Sequence, residues 1–259
     1  MPVLWFPVIA FCLILQTQPI CAFPSEDASS ADWLVAPVKI EAELEVAEEP
    51  GDLTLSNGII SRTFVTSPNF ASISLKNLSD TREFIRGVKP EATITIDGES
   101  YPIGGLLGQP GYGYLDPQWL NQMTADMGSF SFRGYSTDQI QPRLEWRRKR
   151  YSADLPWPPK GIHVVFDFQP PKKLAEKSPG IELSIHYEMY EGIPVYCKWL
   201  TVKNNGNSEF IINSVTTEVL AVVERESEVQ RVRNTRPRKF KNDIDPNDLV
   251  EEYDAVLLA

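Results

Sequence analysis

The alternation of apolar and polar residues is the dominant pattern of this chain, and it predicts strands rather than helices. Residues 181–190 place Leu183, Ile185 and Tyr187 on one face, with polar side chains on the other. Residues 162–168 alternate in the same way. A period of two is typical of a strand that buries one of its faces.

Tight turns separate the alternating segments. Asn57-Gly58 and Asp97-Gly98 are dipeptides of the kind that close short hairpins. A single short helix is predicted within 117–126, and the Pro/Lys-rich segment 170–180 is predicted to be a loop. Little helix and many short strands predict an all-β fold. The candidate strands outnumber those of a small immunoglobulin-type domain, which favours a large antiparallel sandwich of two sheets.

The two ends of the chain differ from its middle. Residues 1–22 are uncharged with a long apolar centre, which predicts a secretory signal cleaved after Ala22, or an uncleaved anchor. The polar stretch 23–38 is predicted to be a mobile leader, and 39–259 the sandwich domain, with a charged loop at 225–248. We therefore expect a secreted or periplasmic protein. The apolar run at the C-terminal end suggests that the chain continues in a longer gene product.

Composition narrows the classes of partner. The formal net charge of −10 argues against nucleic acid, and against membrane lipid beyond the signal segment, and leaves neutral polymers such as glycans open. Two of the three cysteines lie within residues 1–22, so Cys197 has no disulfide partner in the mature chain. Its apolar strand context predicts a small buried hydrophobic side chain.

Motifs for catalysis and for cofactors are missing from the sequence. It has no nucleophile elbow, no phosphate-binding loop and no paired metal-binding cysteines, and with two histidines we expect neither a metal nor a cofactor. His163 and His186 each fall on the polar face of a predicted strand, with Glu188 on the same face as His186. They could serve as general acid or base, or be solvated or paired across the sheet.

Aromatic residues in loops provide the stronger functional prediction. Tyr112, Tyr114, Asp116 and Trp119 fall in one Gly-rich loop, and Trp157 lies among prolines in another. Sugar faces stack on aromatic rings, and placed polar groups bind the hydroxyls. These five residues are therefore the candidate carbohydrate-binding set. Alternatively, Trp119 and Trp157 cap the ends of the core.

Three stretches resemble one family: LSNGIISRTF (Leu55–Phe64), ISLKNLSD (Ile73–Asp80) and LSIHYEMYEGIPVYCKWLTVKNNGNSEFIINSV (183–215). They are similar to the N-terminal, galactose-mutarotase-like β-supersandwich of family 36-type glycoside hydrolases, the α-galactosidase group. The family pattern is a strand ending in tyrosine, an acidic turn, a step into proline, and a strand with a basic residue ahead of V-x-N. The resemblance extends over about residues 50–225.

The resemblance implies a fold and a set of partners. In that family two catalytic aspartates lie on a separate (β/α)₈ barrel, which has no counterpart in this sequence. We therefore expect no catalytic residue here, and a non-catalytic sandwich domain of an exported glycoside-hydrolase-like protein that contacts carbohydrate and a barrel. The alternatives are a stand-alone carbohydrate-binding or structural sandwich, and a diverged aldose epimerase, whose histidine-pair motifs His163 and His186 do not match.

Overall fold

A computed structural model describes residues 33, 39–47, 51–111, 113–145, 147 and 156–222. The predicted signal, the leader apart from residue 33, and the charged segment 225–248 lie outside these ranges. Within them the chain forms sixteen strands and two short helices. In chain order these are β1 (Glu43–Val46), β2 (Leu53–Ser56), β3 (Ile60–Val65), β4 (Ala71–Asn77), β5 (Arg82–Glu83), β6 (Ile85–Gly87), β7 (Ala92–Ile96), β8 (Glu99–Ile103), β9 (Leu106–Leu107), α1 (Pro117–Leu120), β10 (Thr124–Ala125), β11 (Ser131–Gln139), β12 (Gly161–Gln169), α2 (Lys172–Lys177), β13 (Ile181–Tyr190), β14 (Tyr196–Asn204), β15 (Ile212–Thr216) and β16 (Ala221–Val222).

The protein is an all-β sandwich of antiparallel sheets, as the alternation predicted. One sheet has the strand order β1-β2-β3-β4-β5, and a second has the order β11-β12-β13-β14. A third sheet has the order β15-β7-β8, and two small sheets pair β10 with β9 and β16 with β6. β14 and β15 are therefore both terminal strands of their sheets, and this arrangement determines where the candidate site forms.

The main core lies between the inner faces of these sheets. Val164, Phe166 and Phe168 on β12 are buried, as is every second residue of β13 from Ile181 to Met189. Phe166 meets Phe70 with ring centroids 4.4 Å apart, which joins the second sheet to the loop ahead of β4. Burying such rings supplies most of the apolar area of a sandwich core. The faces predicted from the alternation are confirmed.

Two predicted hairpins form, and one of them has a second role. Asp97 and Gly98 have φ angles of 49° and 80°, the mirror-image turn that suits the twist between β7 and β8. Between β2 and β3, Asn57 is buried and its amide donates to the backbone oxygens of Tyr190 and Ile193, both at 2.7 Å. The first sheet is thereby fastened to the turn that leads into β14.

The helices are short. α1 forms inside the predicted stretch, but α2 occupies the segment predicted to be a loop, and that prediction is wrong. Residues 172–177 are mostly good helix formers, and Leu174 is fully buried in the main core, which anchors the turn. Among the described residues no helix is long and apolar enough to cross a membrane.

Candidate functional site

The two terminal strands β14 and β15 enclose a cleft of 770 Å³, which we call the β14–β15 cleft. Residues 194–199 line one side and residues of the range 215–220 line the other. Successive side chains of a strand point to opposite faces, so Tyr196 and Lys198 point into the sandwich while Cys197 and Trp199 point outward. The cleft therefore contacts two polar clusters, one on each face of the second sheet.

The inner cluster is centred on Arg62, which is fully buried on β3. Its Nε donates to Ser72 Oγ at 2.7 Å, and Nη1 donates to Tyr196 Oη at 2.9 Å and to Glu218 Oε2 at 2.7 Å. Nη2 donates to Glu91 Oε2 at 3.0 Å and to Glu218 Oε1 at 3.1 Å. These contacts use all five N–H groups of the guanidinium.

Lys198 completes this cluster. Its ammonium donates to the Glu91 backbone oxygen at 2.6 Å and to one carboxylate oxygen each of Glu91 and Glu218 at 3.1 Å. Glu91 also accepts from the Tyr187 hydroxyl at 2.6 Å and from the Ser72 backbone N–H at 2.7 Å. Two cations are matched by two carboxylates, so the group has no net charge. We call Arg62, Glu91, Lys198 and Glu218 the ion network.

The charges of the network depend on one another. Burial alone would raise the pKa of Glu91, but Lys198 and Arg62 outweigh it and hold that pKa well below its ordinary value of 4.5. Burial lowers the pKa of Lys198, and Glu91 opposes the shift. Burial raises the pKa of the Tyr187 hydroxyl, so it remains a donor to Glu91. Removing one partner would leave an uncompensated charge in the core.

The outer cluster is a stack of rings. His186 lies parallel to Trp199 with centroids 4.8 Å apart, and His163 stacks at 5.3 Å on both. His163 Nε2 and His186 Nδ1 are 3.0 Å apart, and His186 Nε2 is 2.9 Å from Thr201 Oγ1. Cross-strand pairing produces the stack, because His186 lies directly opposite Trp199. We call His163, His186 and Trp199 the ring stack.

Arg143 covers the ring stack. Its guanidinium carbon lies 3.8 Å from the Trp199 ring centroid, and its Nε and Nη2 donate to the two carboxylate oxygens of Glu188 at 3.2 Å and 2.7 Å. Tyr190 also donates to Glu188, at 2.8 Å. Glu188, the carboxylate that the sequence predicts on the same face as His186, is therefore bound by Arg143. The histidines contact each other instead.

The histidines are held as weak bases. Burial lowers the pKa of His186 to about 4, and the neighbouring His163 adds to the shift. Burial also lowers the pKa of His163. Both ring nitrogens of His186 are engaged, so it has no free nitrogen for a substrate. Within the described ranges, no group of three or more His, Cys, Asp or Glu side chains is placed to hold a metal ion.

Arg143 also lines a second cleft, of 550 Å³, together with Leu144, Arg147 and Trp157. We call it the Trp157 cleft. The Trp157 ring is 44% exposed, and its Nε1 donates to the Leu144 backbone oxygen at 3.0 Å. Arg143 lines both clefts. It therefore lies between the indole of Trp157 in one cleft and the indole of Trp199 in the other.

The remaining residues of the predicted carbohydrate-binding set lie elsewhere. Tyr112 lies outside the described residues. Tyr114 is 63% exposed, and its ring centroid is 5.1 Å from that of Trp119, which packs on a smaller apolar cluster that includes Met123. Asp116 caps α1 by accepting from the Gln118 backbone N–H at 2.9 Å. The loop thus brings Tyr114, Asp116 and Trp119 together, while Trp157 lies beside Arg143.

Cys197 departs from its predicted environment. It is only partly buried and lines the β14–β15 cleft, with its Sγ 3.3 Å from the Tyr190 hydroxyl. The reason is that successive residues of β14 point to opposite faces. Tyr196, Lys198 and Leu200 face the core, so Cys197 points away from it. The expectation of a buried hydrophobic cysteine is wrong.

The ion network and Arg143 were not among the predicted site residues. The sequence does contain a pattern that points to the network, because Arg62 alternates in phase with Ile60 and Phe64. Lys198 likewise falls in phase with Leu200 on a core-facing side. Two cations on apolar faces require buried carboxylates nearby, although the pattern does not say which ones.

Comparisons with known proteins find no matching family model, no curated protein with significant similarity, and no similar solved structure.

Proposed function

We propose that this chain is a non-catalytic, carbohydrate-recognising β-sandwich domain of an exported glycoside-hydrolase-like protein. The observation that carries the proposal is that Arg143 lies between two clefts, one with Trp157 and the other with Trp199. An aromatic ring beside a few fixed polar groups in a concave surface is the usual composition of a sugar site.

The family resemblance supports the same proposal from the residues alone. The antiparallel all-β architecture is the one that a galactose-mutarotase-like supersandwich would have, and the quoted stretches fall on β2–β4 and β13–β15. In this proposal a (β/α)₈ catalytic domain is the protein partner. A stand-alone carbohydrate-binding or structural sandwich would use the same clefts without that partner.

The state of the carboxylates favours recognition over hydrolysis. Glycoside hydrolysis needs a pair of carboxyl groups facing the bond to be cleaved, one as acid and one as base or nucleophile. In the β14–β15 cleft, Glu218 is bound by Arg62 and Lys198, while Glu188 beside the cleft is bound by Arg143. Both carboxylates are thus held in place by cations of the protein, an arrangement that suits a fixed acceptor for a sugar hydroxyl.

One observation favours the epimerase alternative, namely the direct contact between His163 and His186. Against it, the ring nitrogens of His186 are both engaged and its pKa is lowered to about 4, which makes it a poor base. A mutarotation assay separates the two functions. Catalysis that is lost in His186→Ala would support the epimerase and contradict a purely binding domain.

The test of the proposal is a glycan titration followed by tryptophan fluorescence. Soluble galactosides, glucans and acidic polysaccharides are added to the purified chain and to Trp157→Ala, Trp199→Ala, Trp119→Ala and Tyr114→Ala variants. We expect saturable binding in the parent that is weakened in the Trp157 and Trp199 variants and kept in the Tyr114 variant.

The other results of this titration are equally informative. Loss of binding only in the Tyr114 and Trp119 variants would move the site to the loop around α1. No binding of any glycan to the folded parent would contradict carbohydrate recognition and leave a structural role.

A further inference from the structure

Among the described residues, the ion network and its partner Tyr196 have hydrogen-bonding capacity within reach of a ligand where they meet the β14–β15 cleft. Arg62 uses all five of its N–H groups and Lys198 all three of its own. Neither cation can therefore donate to a ligand without breaking an existing bond. Glu91 is sealed in the core, so the groups that remain are those on the wall of the cleft.

Glu218 is the first of these groups. It lines the cleft with its side chain 20% exposed. Its Oε1 accepts from Arg62 and Lys198, whereas among the described residues its Oε2 accepts from Arg62 alone. Because each carboxylate oxygen has two acceptor positions, Oε2 retains one. Glu218 thus presents a fixed acceptor to the cleft.

Tyr196 is the second group, and it also lines the cleft. Its hydroxyl accepts from Arg62 Nη1 at 2.9 Å, and in the part of the chain that the structure describes no acceptor takes the hydroxyl hydrogen. Burial raises the pKa of Tyr196, so the hydroxyl keeps that hydrogen. Tyr196 thus presents a donor next to the Glu218 acceptor.

The spacing of the two oxygens follows from their shared partner. Glu218 Oε2 and Tyr196 Oη bind the same Arg62 nitrogen, at 2.7 Å and 2.9 Å. The two hydrogens of a planar guanidinium nitrogen diverge by roughly 120°, which puts the oxygens roughly 5 Å apart. One further oxygen can lie between them, within hydrogen-bonding distance of both.

Only some ligand groups fit this pair. A hydroxyl can donate to Glu218 and accept from Tyr196 at the same time, whereas an ammonium cannot accept and a carboxylate cannot donate. The charges nearby also balance, because the cations Arg62, Lys198 and Arg143 are each bound to a carboxylate. An anionic sugar would therefore meet the Glu218 lone pair with no free cation of the network to offset it.

We propose that the β14–β15 cleft binds a neutral, hydroxyl-rich sugar, one hydroxyl of which donates to Glu218 Oε2 and accepts from Tyr196. The proposal deepens the proposed function and rests on it. Thr216 and Thr217 line the opposite wall and supply side-chain hydroxyls for a neighbouring group of the ring. Trp199 forms the apolar edge of the same cleft.

The test compares Tyr196→Phe with Tyr101→Phe in titrations with methyl galactoside, methyl glucoside and glucuronate. Tyr196→Phe removes only the hydroxyl that faces the cleft, while Tyr101 bonds to Glu99 and lines a different cleft. We expect the neutral glycosides to bind and glucuronate not to bind. Affinity should fall about tenfold in Tyr196→Phe, as for one lost hydrogen bond, and stay unchanged in Tyr101→Phe.

Different results overturn different statements. Neutral glycosides that bind Tyr196→Phe as tightly as the parent, yet fail to bind Trp157→Ala or Trp199→Ala, would overturn the hydroxyl site and leave carbohydrate recognition standing. Preferential binding of glucuronate would overturn the neutral ligand class. No binding of any of the three to the folded parent would overturn both. A thermal melt of Tyr196→Phe establishes that the variant is folded.

Discussion

The ion network and the ring stack meet on opposite faces of one strand, β14, which carries Lys198 on its inner face and Trp199 on its outer face. Tyr187 and Lys198 face each other across the inner side of β13 and β14, and the next pair along, His186 and Trp199, does so on the outer side. Inside, four charges are held by hydrogen bonds that use every donor of the two cations. Outside, three rings and a guanidinium are stacked, with Arg143 open to water.

This difference shows how burial sets the requirements on polar groups. In the core an unpaired charge costs several kcal/mol, so Arg62 and Lys198 need a complete set of acceptors. At the surface water replaces a lost partner, so the stack depends on contact area and ring geometry. Removing one partner should therefore cost much more unfolding free energy in the ion network than in the ring stack. Each of the following predictions tests that contrast.

The largest effect is expected from Glu91→Gln. The variant keeps the side-chain shape but leaves Arg62 and Lys198 with one carboxylate between them, so the free energy of unfolding should fall by about 3–5 kcal/mol. Urea unfolding measures this fall. The matched control is Glu99→Gln, an exposed carboxylate paired with Lys173, for which we expect a far smaller loss because water screens the pair. Equal losses of unfolding free energy in the two variants would contradict the difference between a buried and an exposed carboxylate.

Acid below about pH 4.5 should weaken the ion network. The folded-state pKa of Glu91 lies below its ordinary value of 4.5, so the stability it contributes is complete above about pH 4.5 and is lost as the pH falls further. Unfolding free energies measured from pH 6 to pH 2 should decline steeply below pH 4.5 in the parent. A Glu91→Gln variant with the same decline would show that other carboxylates are responsible.

The ring stack should respond to pH in a different window. The pKa of His186 is lowered from 6.5 to about 4, so between these values the unfolded chain binds more protons than the folded one. Stability should therefore fall gently as the pH drops from 6.5 to 4, by about 1 kcal/mol or less because solvent screens the site. The comparison is His186→Gln, in which the slope over this window should be smaller, because only His163 of the ring stack still has a lowered pKa. An unchanged slope in that variant would assign the effect to other groups.

A similarly small effect on stability is expected from Arg143→Gln. Its side chain is 43% exposed, so its loss lets water reach Glu188 and no charge is left sealed in the core. We expect a loss of about 1 kcal/mol from the cation–π contact and the ion pair together, with a change in tryptophan fluorescence. A loss as large as that of Glu91→Gln would mean that Glu188 stays dry and that the two clusters behave alike.

The fold was predictable from the sequence because it depends on period and turns. The alternation in residues 181–190 identifies the buried face without any knowledge of its neighbours, and Asp97-Gly98 specifies its own turn. α2 was not predicted, because flanking prolines suggested a loop while Leu174 supplies a tertiary anchor. Local patterns do not contain that anchor.

The site was less predictable because its members come from distant parts of the chain. Glu218 lies 156 residues from Arg62, and no local pattern relates them. The aromatic composition did identify Trp157, which lines a cleft. It could not show that Trp119 packs on an apolar cluster, or that Asp116 caps a helix.

The most direct test of carbohydrate recognition at these clefts is amide hydrogen exchange of the full chain with and without methyl galactoside. If the sugar binds beside Glu218 and Trp199, exchange slows in the peptides that cover residues 194–199 and 215–220 and stays unchanged around α1. Slowing confined to residues 113–121, or no slowing at a saturating concentration, would contradict the site.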